Sequence, residues 1–72
     1  MNDTLQKLYD SEINFSISTF WDGGFDVKLG DQMNGYKAES NFKTFNEALT
    51  WLHQSAIEHY PESAYAHNQM TD

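Results

Sequence analysis

The chain contains no cysteine, no arginine and only one proline. Without cysteine there is no disulfide framework, no thiolate nucleophile or ligand, and no reason to expect an oxidising compartment. Arginine grips phosphate in a bidentate fork better than any other side chain, so its absence weighs against direct nucleic-acid binding. No stretch approaches the roughly twenty apolar residues of a membrane span. The opening Met1-Asn2-Asp3-Thr4-Leu5 has neither the basic start nor the apolar run of a secretion signal. The expectation is a soluble, cytoplasmic protein with no membrane partner.

Seventy-two residues are expected to form one domain spanning 1–72, because a second hydrophobic core would not fit. With neither disulfides nor a metal cluster, stability must come from packed aromatics or from a partner subunit. Eleven aromatic residues are present to supply the packing. Eleven Asp and Glu oppose four Lys, for a formal charge of −7. Such a surface suits a basic protein partner, and it also keeps a small protein soluble.

Hydrophobic periodicity divides the chain. Leu5, Leu8 and Tyr9 are spaced for a helix of about two turns over residues 3–9, held by packing against the body. From Ile13 the period becomes two: Ile13, Phe15, Ile17, Thr19 and Trp21 point one way, and Asn14, Ser16, Ser18 and Phe20 the other. Asp22-Gly23-Gly24 provides residues that tolerate positive φ in a hairpin turn, after which Phe25, Val27 and Leu29 resume the alternation. Asn34-Gly35 favours a primed turn into a third strand over 36–41, with Tyr36, Ala38 and Ser40 alternating against Lys37, Glu39 and Asn41.

Thr44 followed by Glu47 is a capping-box signature. The helix it opens carries Phe45, Ala48, Leu49, Leu52, Ala56 and Tyr60 on one stripe, with Trp51 and Ile57 to either side, and Pro61 closes it. Beyond Pro61, residues 62–72 are polar and weakly periodic. They are expected as a flexible tail in which only Tyr65 is a candidate to pack back. The fold class is therefore α+β, in the order α-β-β-β-α, with a three-stranded antiparallel sheet packed by one long C-terminal helix.

No catalytic, cofactor or metal motif emerges. His53 and His59 are six residues apart, not the three or four that aim two helical ligands at one ion. Asp22, Asp26 and Asp31 surround the loops without the Asp-x-Asp-x-Asp-Gly order of a calcium loop, and no nucleophile or oxyanion donor accompanies them. No serine sits in a Gly-x-Ser-x-Gly elbow, and no glycine pair opens a helix as a phosphate loop would. Phe20, pointing away from the face under the helix, and Trp51, off the helix stripe, are expected to be partly exposed, and large exposed aromatics serve as binding anchors.

The order helix, three antiparallel strands, helix is similar to the double-stranded-RNA-binding domain. That family grips phosphate with a lysine cluster at the start of its second helix, where this chain has Thr44-Phe45-Asn46-Glu47-Ala48; the likeness is one of architecture. In size, charge and element order the chain also resembles small acidic anti-CRISPR proteins of phage. That resemblance implies a non-enzymatic inhibitor presenting carboxylates to a basic nucleic-acid-binding surface of a partner protein. Asp22, Asp26, Asp31 and Glu39, with Phe20, Trp21 and Trp51, are the expected contacts. The competing expectation is a structural homo-oligomer or homodimer in which Phe20, Trp21, Trp51 or Ile57 completes a neighbour's core. A small enzyme or a metal-binding domain using His53 or His59 is a third.

Overall fold

Strand alternation and one capped helix set most of the architecture. The computed structural model describes residues 3–19 and 21–70. Its elements are α1 (Thr4–Asp10), β1 (Phe15–Thr19), β2 (Phe25–Asp31), β3 (Gly35–Phe42), α2 (Phe45–His59) and α3 (Ala64–Met70). The strands form one antiparallel sheet in the order β1-β2-β3, and α2 packs on it over β2 and β3. The fold is α+β, and its shortest dimension of 17 Å is the depth of one sheet and one helical layer.

Register sorts the side chains by face. Phe15, Leu29 and Ala38 align across the sheet, as do Ile17, Val27 and Ser40, and Thr19, Phe25 and Phe42. These rows face α2, where Val27 and Leu29 are fully buried against Ala48, Leu52 and Ala56. The opposite rows, Ser16-Lys28-Glu39 and Ser18-Asp26-Asn41, form the polar open face. No helix among the described residues is long and apolar enough to cross a membrane.

Several expectations need correction. Tyr9 does not lie on the body: it is 74% exposed, because one step past buried Leu8 turns it about 100° around the helix. Tyr36 does not share a face with Ala38. A register shift between Leu29 and Gly30 leaves Lys37 as an extra residue in β3, which returns Tyr36 to the open face opposite Gly30. Gly30 permits the shift, since at φ +108° a Cβ there would lie 2.5 Å from the Gly35 carbonyl oxygen. Asn34 does not take the positive φ of a primed turn. Its N–H instead donates to Asp31 Oδ1 at 2.8 Å, and only Gly35 takes positive φ there.

The long helix is not the last element. After Pro61, Ser63 caps a third helix: its hydroxyl accepts from the Ala66 N–H at 3.1 Å and donates to the Tyr60 carbonyl at 2.7 Å. α3 buries Tyr65, the residue expected to pack back, together with Ala66. The Tyr65 hydroxyl lies 2.6 Å from His53 Nδ1, and the two rings meet edge to face at 5.6 Å.

Candidate functional site

The aromatic side chains converge on one end of the sheet. Phe25 and Phe42 are register partners at this end, and Phe45 begins α2 beside them. Phe25 and Phe45 stack obliquely at 5.8 Å, and Phe42 and Trp51 at 6.1 Å. Such pairs are favourable beyond the area they bury. Trp51 is partly exposed, as expected, and rests against Phe42. Together with Asn46, Glu47, Thr50 and Gln54, these two rings line an open groove of about 380 Å³.

Trp21 behaves differently. β1 ends at Thr19, so strand alternation no longer governs its direction, and it stands 91% exposed in the loop joining β1 to β2. A tryptophan left so open departs from the usual distribution, because the indole has the most apolar area to bury. The loop that carries it is braced. Asp22 takes φ +63°, Gly24 φ +78°, and the Asn41 amide donates both to the Gly23 carbonyl at 3.0 Å and to the Asp26 carboxylate. At Gly24 a Cβ would come within 2.6 Å of the Phe42 carbonyl oxygen. Phe20 lies outside the described residues.

The four acids expected as contacts do not converge. Asp22 sits beside Trp21, and Asp26 is on the open face at the same end, held by Asn41. Glu39 lies mid-sheet opposite Lys28, whose ammonium is 5.2 Å from the Tyr36 ring centroid. Asp31 is at the far end of β2, roughly 20 Å from its start at 3.3 Å per residue. There its carboxylate accepts from the Asn14 amide at 2.7 Å and from the Asn34 N–H at 2.8 Å, joining the second loop to the start of β1. The Asn34 and Asn14 hydrogen bonds hold the Asp31 carboxyl below its ordinary pKa.

Among the described residues, no three His, Asp or Glu side chains are grouped to hold a metal ion. His53 is engaged with Tyr65, and His59 lies 3.7 Å from Glu58. Ile57 packs against the core. Phe25, Phe42, Phe45 and Asn41 complete the aromatic end without having been singled out in the sequence. The available signal was aromatic density on both sides of the first turn and immediately before the capped helix.

Comparison with protein-family models, with curated proteins and with solved structures finds no match to this chain.

Proposed function

We propose that the chain is a non-enzymatic, cytoplasmic protein-binding module that docks through its aromatic end. In its sharpest form it is an acidic inhibitor of the anti-CRISPR kind, occupying a basic nucleic-acid-binding surface of another protein. The observation that carries the reading is Trp21, 91% exposed on a braced loop that also carries Asp22 and leads into Asp26. An exposed indole on a braced backbone suits an interface anchor, and carboxylates at the same end would speed encounter with a basic partner. Asp31 and Glu39 lie away from Trp21 along the sheet, so the electrostatic contribution near the indole rests on Asp22 and Asp26, added to the overall charge of −7.

The test is affinity capture from a lysate of the native host at low and moderate salt, with wild type and Trp21→Ala compared. The expected result is a nucleic-acid-binding protein that washes off with salt and whose affinity falls about thirtyfold in the variant, the scale of one hot-spot residue. Retention unaffected by both salt and Trp21→Ala would overturn the proposal.

A further inference from the structure

The outer edge of β1 carries no ordinary edge protection. Proteins guard such edges with charged side chains, proline or bulges. β3 follows that rule, with Lys37 at its register shift and Glu39 along it. Residues 13–21 contain no charged side chain and no proline, and β1 pairs with β2 without a bulge. The backbone direction follows from one bond: Gly30 N–H donates to the Asn14 carbonyl at 2.8 Å, so Asn14, Ser16 and Ser18 face β2. The backbone groups of Phe15, Ile17 and Thr19 therefore point away from the sheet.

A second observation concerns the same strand. α2 lies over β2 and β3, and Phe15 and Ile17 remain only half-buried on the helix side of β1. Both the hydrogen-bonding edge and the apolar side chains of this strand are incompletely used.

We propose that β1 pairs with β1 of a second copy, antiparallel about a two-fold axis through Ile17, joining two three-stranded sheets into one of six strands. The strand suits itself. In this register Ile17 meets Ile17 of the other copy, Phe15 meets Thr19, and Ser16 meets Ser18. The outward groups of Phe15, Ile17 and Thr19 fall in hydrogen-bonded positions. A two-fold axis perpendicular to the sheet keeps both helical layers on one side, so Phe15 and Ile17 of the two copies form one apolar strip. Two chains of charge −7 repel at a distance, yet no like charges oppose along this contact. The dimer therefore tightens as salt is added, whereas the proposed acidic contact with a basic partner weakens.

Sedimentation equilibrium tests the proposal between about 10 μM and 1 mM protein, at roughly 0.05 and 0.5 M salt. Wild type is expected to approach twice its monomer mass at high concentration, at lower concentration in the higher salt. Hydrogen exchange should then slow at the amides of Phe15, Ile17 and Thr19. Ser16 and Ser18 are exposed on the open face, and in the double variant Ser16→Lys, Ser18→Lys the lysine at 16 facing Lys28 is offset by the lysine at 18 facing Asp26, so the variant should remain folded by circular dichroism. Setting lysines opposite one another across the contact, it should remain monomeric throughout. A wild type still monomeric at the highest concentration and salt would overturn the proposal. So would a dimer that survives the double variant or is lost on Trp21→Ala, since either places the contact elsewhere. Trp21 lies outside β1, so failure of self-pairing leaves the proposed partner contact standing, and the reverse also holds.

Discussion

Glu12 occupies a conformation that the chain reserves elsewhere chiefly for glycine. α1 ends in a Schellman arrangement, in which Ile13 N–H donates to the Leu8 carbonyl at 3.1 Å and Glu12 N–H to the Tyr9 carbonyl at 3.0 Å. The residue in the left-handed position is Glu12, at φ +61°. Ile13 and Leu8 supply the apolar contact that accompanies the motif, and both are buried in the core. The motif therefore fixes how α1 enters β1 despite a residue poorly suited to its turn. Glu12 is exposed, so Glu12→Gly should relieve the strain without removing a core contact. The expected gain is about 1 kcal/mol, seen as a melting temperature higher by about 4–8 °C. A lower melting temperature would show that the Glu12 side chain makes a compensating contribution. Gly30 is the opposite case, because backbone crowding at 2.5 Å as well as positive φ excludes any larger residue there.

At the scale of elements, the capping box shows how local chemistry sets a boundary. Glu47 N–H donates to Thr44 Oγ1 at 3.2 Å, and Thr44 N–H donates to Glu47 Oε1 at 3.3 Å, starting α2 where the core stripe begins. Thr44→Ala removes the hydroxyl and leaves a helix-start donor without its cap. Chemical denaturation should report a loss of about 1 kcal/mol; an unchanged midpoint would mean that solvent replaces the cap at no cost. This boundary was legible in the sequence, as were the alternations of Phe15 with Ile17 and of Phe25 with Val27 and Leu29, because each rests on near neighbours. The face of Tyr36 was not legible, since it depends on a one-residue register shift that only pairing with β2 reveals. α3 was obscured for a related reason. Ala64, Tyr65 and Ala66 are too few to draw a stripe, and the helix is held by Ser63 and by tertiary burial of Tyr65. At the candidate site, the exposure of Trp21 was not legible, because alternation placed it on the face of Ile13 and Phe15, whereas β1 ends at Thr19. Partial exposure of Trp51 was expected, and only its contact with Phe42, nine positions earlier, was hidden in the sequence.

For the whole molecule, stability should show a plateau with two shoulders. Asp31 has a lowered pKa in the folded state, so its contribution is fully present above about pH 4 and is lost as pH falls through the lowered value. Tyr65 is shifted upward by burial, an effect partly offset by its hydrogen bond with Thr4 and reinforced by the charge of Asp3. Tyr60 is raised by burial and by the charge of Asp31. A raised phenol contributes stability that is complete below about pH 10 and is lost as pH rises through the raised value. Urea midpoints should therefore fall on both sides of the plateau, and Tyr65→Phe should reduce the alkaline fall. An alkaline slope unaltered by that substitution would remove Tyr65 as its source.

The meeting of Tyr65 with Thr4 also bears on the order of events in time. Each hairpin closes over a few residues, on a scale of about microseconds, and α2 can grow from its own cap. Bringing α3 back to α1 closes a loop containing almost the entire described chain, with a correspondingly larger entropy cost. That closure should come last, once the sheet and α2 have brought the two short helices within reach. Contacts absent from the folding barrier slow unfolding more than they speed folding. The hold of Tyr65 on Thr4 should thus act as a clasp, setting how long the native state lasts once formed and leaving the speed of its formation largely unchanged.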